Sequence, residues 1–174
     1  KPGRVFLGLV HRLDRNVSGV VMFARTSKGA SRISEQFRQK TTKKIYRALV
    51  EGTPGYQQAS LRHYLRKEKS LKATVFPRAT INAKEALLDY EIIETFADTS
   101  LIEIRLHTGR FHQIRAQLSV IGHPIVGDKK YGASSAFPVE RIALHAQSMT
   151  LKHPTSKEEI VIVCPLPEDW PASY

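Results

Sequence analysis

Five strand-prone segments crowd into residues 43–107, at about 43–52, 59–65, 72–78, 84–96 and 99–107. Their hairpin-like spacing predicts a mostly antiparallel sheet, because a parallel pair needs a longer crossover. "KKIYRALVEG" stops at Gly52, and Pro54 with Gly55 marks the turn that follows. Helical spacing occurs twice. In "TSKGASRISEQFRQK", Ala30, Ile33 and Phe37 recur with that period, and Thr26 or Ser27 is placed to cap. In "RFHQIRAQLSVIG", Ile114, Leu118 and Ile121 line one face, and Gly122 with Pro124 ends the helix. The apolar run "VVMFA" at 20–24 suits a buried strand, and further strands are expected at about 141–151 and 159–164. "PLPEDWP" cannot be regular structure for long. These elements predict an α+β fold, a mixed and mostly antiparallel sheet flanked by a few helices and loops. Without internal repeats or a low-complexity linker, residues 1–174 are expected to form a single domain, and 41% hydrophobic residues supply its core.

Charge narrows the partners. The chain carries 27 Lys+Arg against 16 Asp+Glu, a net charge of +11. The basic residues are spread along "RTSKGASRISEQFRQKTTKKIYR" and "LRHYLRKEKSLK", which predicts a broad positive face for a polyanion. An inert basic surface is the alternative. No apolar run is long enough for a membrane span and no secretory leader is visible, so a soluble, cytoplasmic protein is expected. Cys164 is the only cysteine, which excludes an internal disulfide.

Three stretches carry residues suited to chemistry. In "HRLDRNVSG", Asp14 stands between Arg12 and Arg15, and a guanidinium favours an ionised carboxylate. Asp14 therefore reads either as a structural salt-bridge partner of its neighbours or as a nucleophile or base. Tyr46, beside Lys43, Lys44 and Arg47, reads either as a core residue of a strand or as a ring that stacks on a nucleobase. In "HTGRFHQIR", His112 and Arg115 are three apart and share a helical face; Arg115 either projects into a cleft or is a solvated charge on an amphipathic helix. The histidine spacings match no metal-binding pattern, and neither a P-loop nor a dinucleotide fingerprint is present, so no metal or nucleotide cofactor is expected. The glycine-rich "GHPIVGDKKYG" reads either as a phosphate-binding loop or, in preference, as a turn shaping the edge of a site.

Taken together, these stretches resemble pseudouridine synthases of the RluA family. "HRLDRNVSG" is similar to the family's H-R-L-D-x-x-T-S-G signature, with Asn16 and Val17 replacing an acidic residue and a threonine. "KKIYRALVEG" resembles the segment with the family's active-site tyrosine, and "LHTGRFHQIRAQLSVIGHPIVGDKKYG" resembles its third signature. "RIALHAQSMTLKHPTSKEE" and "PLPEDW" are similar to its last strands. The resemblance implies a pseudouridine synthase fold and isomerisation of uridine in structured ribosomal or transfer RNA. It implies Asp14 as the catalytic aspartate, Arg115 as its partner, and Tyr46 stacking on the base and assisting removal of the C5 proton. Arg12 would displace the target nucleotide, and Arg110 and His112 would complete the substrate site. Neither a cofactor nor an obligate protein partner is implied. Family members carry several tens of residues before the first signature, whereas ten precede His11 here, so a catalytic domain lacking its first strands is expected. Lys1-Pro2-Gly3 is similar to the family's Lys-Pro-Ala-Gly motif but stands too close to Asp14 to be it. An RNA-binding fragment with an incomplete pocket is the alternative function.

Overall fold

A computed structural model describes residues 5–135 and 141–170. The Lys1-Pro2-Gly3 stretch and the ends of the expected 1–174 domain lie outside the described residues. The strands are β1 (Gly8–Leu9), β2 (Ser18–Gly19), β3 (Phe23–Ala24), β4 (Lys43–Glu51), β5 (Gln58–Lys67), β6 (Ala73–Phe76), β7 (Lys84–Thr95), β8 (Thr99–Leu106), β9 (Leu144–Lys152) and β10 (Glu159–Val163). The helices are α1 (Ser27–Arg38) and α2 (Gln113–Val120), and a single 3-10 turn covers Lys129–Tyr131. Seven strands form one continuous sheet in the order β10-β9-β4-β8-β7-β5-β6, every neighbouring pair antiparallel. β2 adds to β9 in parallel, which makes the sheet mixed. This is the α+β architecture that the segment spacing predicts.

Alternation along the strands sorts the residues. Tyr46, Ala48 and Val50 stand opposite Ile104, Ile102 and Ser100, and Leu88 and Tyr90 continue the same face. Ile102, Ile104, Leu88 and Leu118 of α2 are fully buried there, each contributing about 2 kcal/mol of apolar transfer. Ile33 of α1 packs on Val20, Met149 and Leu151 toward the β9–β10 end of that face. On this face Tyr46 lines a cleft together with the 12–17 loop and the start of α2. The opposite face is polar: Arg47 pairs with Glu103 at 2.8 Å, and Asp89 accepts from Ser60 and bonds His107, both at 2.6 Å.

α1 begins where capping chemistry predicts, with the Thr26 hydroxyl accepting from the Gly29 amide. Two expectations need correction. "VVMFA" is not one strand: Ser18-Gly19 pairs with β9, the Val20 amide still donates to the Ala146 carbonyl (2.9 Å), and the chain then crosses so that Phe23-Ala24 pairs with β1. Val20 is buried whereas Val21 is exposed, so the run joins two small pairings rather than filling one. α2, expected to be amphipathic, is buried on nearly all sides, since Gln113, Arg115 and Gln117 are buried with Ile114 and Leu118. Its polar side chains turn inward to satisfy backbone groups: Gln113 Nε2 donates to the Leu87 carbonyl and Gln117 Nε2 to that of Leu61.

One β-bulge lies beside the cleft. The β4–β9 register shifts between Ile45 and Tyr46, leaving Gln147 as the extra residue. Its side chain accepts from Arg47 Nε (2.9 Å) and its carbonyl accepts from the Cys164 amide (2.8 Å).

Gly19 has φ +117°, and a Cβ there would fall within 2.7 Å of three backbone atoms of Ala146. Gly132 has φ +94° with nothing within 4 Å. Gly132→Ala is therefore expected to cost only the backbone term, about 1 kcal/mol, whereas Gly19→Ala adds a clash and costs about 3 kcal/mol or more in urea unfolding. Equal losses would show that the β2–β9 approach is not the constraint.

Candidate active site

The segment "HRLDRNVSG" is an ordered loop pinned at both ends. His11 Nε2 accepts from the Met22 amide (3.0 Å), so that nitrogen is unprotonated, and burial and then Lys44 lower the His11 pKa. The Asp14 carbonyl accepts from the Val17 amide (3.0 Å), closing a turn, and the Asn16 carbonyl accepts from the Ile142 amide (3.1 Å). Downstream, the Ser18 hydroxyl bonds Nδ1 of fully buried His145 (2.8 Å), whose Nε2 lies 3.0 Å from the Cys164 carbonyl. A carbonyl only accepts, so Nε2 carries the proton and Nδ1 accepts from Ser18. Val17 packs against the main core. Main chain and Ser18 therefore hold the turn without a hydroxyl at position 17.

The neighbouring arginines do not hold Asp14. Arg12 and Arg15 are exposed, and neither pairs with it. The partner is Arg115, 101 residues away on α2, whose Nη1 donates to Asp14 Oδ2 at 3.2 Å. Arg115 is itself clamped by Asp128: Nε donates to Oδ2 (2.6 Å) and Nη2 to Oδ1 (2.8 Å), a bidentate fork with both side chains buried. Burial opposes the Arg115 charge, but the hydrogen bonds and charges of Asp128 and then Asp14 outweigh it and raise the pKa. The side chain of Asp14 remains 28% exposed and faces the cleft. Asp128 comes from "GHPIVGDKKYG" and was not singled out in the sequence. Its signal was there, as a carboxylate in a tight glycine-bounded turn close in sequence to a helical arginine.

Tyr131, four residues after Gly127, was missed as well. Its ring lies 5.0 Å from the Arg115 guanidinium, and its hydroxyl accepts from the Ala73 amide (2.8 Å) and bonds His112 Nδ1 (2.9 Å). Burial first, and then the Arg115 cation, lower His112 to about 4 against the pull of Asp14, so the ring is neutral near pH 7. The Tyr131 oxygen, which already accepts from the Ala73 amide, is placed to donate to Nδ1 of the neutral ring, whose Nε2 lies 3.7 Å from Asp14 Oδ2. His112 caps α2 in the left-handed conformation (φ 51°) rather than sitting within it, and its ring stacks on Phe111 at 3.8 Å.

Tyr46 lines the cleft with Asp14, Arg12, Arg110, His112 and Arg115, so all six expected site residues meet in one place. Burial, and then the charge of Asp14, push the Tyr46 phenol up to about 12. Arg110 is oriented by Nε, which donates to the Glu85 carbonyl (2.7 Å). Among the described residues, no three His, Cys, Asp or Glu side chains gather as metal ligands. No described helix is long and apolar enough to cross a membrane.

A carboxylate presented by a buried guanidinium, beside an aromatic ring and the cations Arg12 and Arg110, has the groups that nucleophilic or proton-transfer chemistry on a planar, anionic ligand would use. A family model described as RNA pseudouridylate synthase matches residues 2–120. The Vibrio cholerae ribosomal large subunit pseudouridine synthase C is 34% identical over 172 residues, which cover 95% of this chain and 54% of that protein. A Chlorobaculum parvum protein described as an uncharacterized RNA pseudouridine synthase is 34% identical over 180 residues, covering 93% of this chain and 55% of that one. The solved structure of Human RNA Pseudouridylate Synthase Domain Containing 4 superposes with a TM-score of 0.79 at 26% identity, covering 94% of this chain and 73% of that chain. The chain belongs to the RNA pseudouridylate synthase family, and it spans about half the length of the curated relatives it matches.

Two outcomes follow from the charge clamp. Asp128→Asn removes the anion that shares Arg115 with Asp14 and is expected to lower stability by about 3 kcal/mol in denaturant unfolding; a loss within 0.5 kcal/mol of zero, roughly a surface value, would show the fork to be dispensable. His112 binds its proton near 4 when folded and near 6.5 when unfolded, so the unfolded state holds more protons between those values. Stability is therefore lost as pH falls from about 6.5 to 4, by at most about 3 kcal/mol from this group. His112→Gln should flatten that part of the pH–stability curve, and an unchanged slope would refute it.

Proposed function

We propose that this chain is the catalytic unit of an RNA pseudouridine synthase that isomerises uridines in structured ribosomal or transfer RNA, with Asp14 as the catalytic aspartate. The observation that carries this is the Asp14 carboxylate, held at 3.2 Å by a buried arginine and facing a cleft lined by Tyr46. The net charge of +11 suits a polyanion, and the relatives named for the ribosomal large subunit favour ribosomal RNA within the class. The target uridine leaves its stack and enters the cleft, which base chemistry inside a folded RNA requires, with Arg12 at the rim occupying the space it vacates.

The reaction balances without a cofactor. An Asp14 oxygen attacks the substrate, at C1′ of the ribose or at C6 of the uracil, and the N1–C1′ bond breaks with its electron pair on the ring. The ring turns so that C5 faces C1′, the C5–C1′ bond forms, and the Asp14 carboxylate is released. Net, one proton moves from C5 to N1. Through these steps Arg115 keeps its bidentate hold on Asp128, so it stays in place while the charge on Asp14 is consumed. Tyr46 starts as a neutral phenol stacked on the base. A phenol that gives its proton to the ring and takes the one from C5 relays the net transfer. Alkylation of Asp14 removes one of the two causes that raise its pKa at the moment the relay is needed.

Asp14→Asn is expected to abolish pseudouridine formation, mapped by carbodiimide labelling, while RNA affinity stays within about threefold, because an amide cannot form the ester. Product from that variant would overturn the assignment, and binding without product from the unaltered chain would favour RNA binding as its only function. Tyr46→Phe keeps the stacking ring, so affinity is retained, but the single-turnover rate should fall by about 100-fold or more with the relay removed. A rate within a few-fold of the unaltered chain would leave Tyr46 as a stacking residue alone.

A further inference from the structure

Beside the Asp14 cleft, and sharing Arg12, Tyr46 and Arg110 with it, a second depression opens between the C-terminal end of α1 and the turn that precedes α2. Its lining includes Arg12, Lys40, Lys44 and Arg110 and no aspartate or glutamate. Lys44 is half-buried at the start of β4, on the face that carries Tyr46 two residues later. Among the described residues no carboxylate pairs with its ammonium and no acceptor takes its protons; the charge it feels most is the repulsive one of Arg110. Burial, and then Arg110, pull its pKa down. Gly109 lies alongside, where a Cβ would be 3.7 Å from Lys44 Nζ. Arg110 has its Nε engaged by the Glu85 carbonyl, which fixes the plane of the guanidinium and leaves its terminal nitrogens without a protein acceptor among the described residues.

Lys40 adds an independent sign. It follows the α1 C-cap Gln39 with φ 56°, the left-handed conformation that glycine or asparagine ordinarily supplies at a helix end. A lysine there costs about 1 kcal/mol of backbone strain, yet its side chain lines this depression. Two unpaired cations held side by side, with a third on a strained turn, form an arrangement that an anion relieves.

We propose that this depression is a phosphate subsite, in which Lys44 and Arg110 together hold one backbone phosphate of the nucleotide next to the uridine in the Asp14 cleft, with Lys40 at its rim. The inference rests on RNA as the substrate. It supplies what the cleft itself lacks, a fixed point on the backbone from which the target base reaches Tyr46. Phosphate contacts of this kind set register without reading sequence.

The test uses the full chain and an unmodified transcript of large-subunit ribosomal RNA, with affinity measured across a salt series. Lys44→Met is expected to bind about fivefold to eightfold more weakly at 0.1 M salt, with a slope of log affinity against log salt shallower by about 0.7–0.9, one phosphate's share. Lys44→Arg should restore the slope. Arg110→Gln should lose the same share, and the double variant no more than either alone, since both side chains hold one phosphate. Lys40→Gly should raise the melting temperature by relieving the backbone while weakening binding, which separates binding from folding. An unchanged slope in a folded Lys44→Met, weaker binding at unchanged slope, or losses that add in the double variant would each overturn the subsite. Salt-dependent binding without pseudouridine in the transcript would remove the isomerase function and leave the subsite to stand or fall on its slopes. Product formation with unaltered slopes would remove the subsite alone.

Discussion

Arg115 is the point on which the site depends. One guanidinium reaches two carboxylates from distant parts of the chain, Asp128 through a buried fork and Asp14 through its remaining nitrogen. The fork fixes the plane of the guanidinium, and that plane decides where Asp14 is held. An exposed arginine beside Asp14 would supply charge without direction. The buried one supplies both, because its side chain has no freedom left once Asp128 has taken two of its donors. The same economy extends to Tyr131, whose ring lies against Arg115 and whose hydroxyl bonds His112.

The loop that carries Asp14 is held by a different physics. Main-chain bonds close its turn, Ser18 ties it to a buried histidine, and Gly19 lets it approach β9 more closely than any side chain allows. The Ser-Gly pair at the end of the motif is thus the attachment of the loop to the sheet. The sheet in turn holds Tyr46 firmly: it stands between buried Ile104 of β8 and buried Ala146 of β9, beside a bulge whose Gln147 accepts from Arg47 Nε through its side chain and from the Cys164 amide through its carbonyl. Asp14 thus stands on a loop, while the arginine that orients it comes from a helix and the ring beside it from a strand.

Much of this was legible before any coordinates. β4 to β10 all lie within three residues of their expected bounds, because alternating apolar residues between turn signals leave few other solutions. α1 was legible from its cap and its period. "VVMFA" misled because an apolar run records burial and not a partner, and here two partners share it. α2 was legible only in part: its period left Arg115 either in a cleft or in solvent, and that Gln113 and Gln117 donate to β7 and β5 while Asp128 takes the guanidinium is something periodicity cannot express. Asp128 and Tyr131 escaped notice for a related reason, since a glycine-rich turn announces its shape and not what lies opposite.

The sequence by itself determined the order of strands and helices, the family signature around Asp14, and the excess of positive charge, since each is local or additive along the chain. Only the tertiary structure decided which cation answers Asp14. Arg12 and Arg15 are its neighbours in sequence, but a residue next along a chain points where the backbone sends it, and both are sent to solvent. Arg115 lies 101 residues away and is brought within 3.2 Å because α2 packs on the sheet face that bears Tyr46. Proximity in a folded chain is set by packing, and the pairing of charges follows from it.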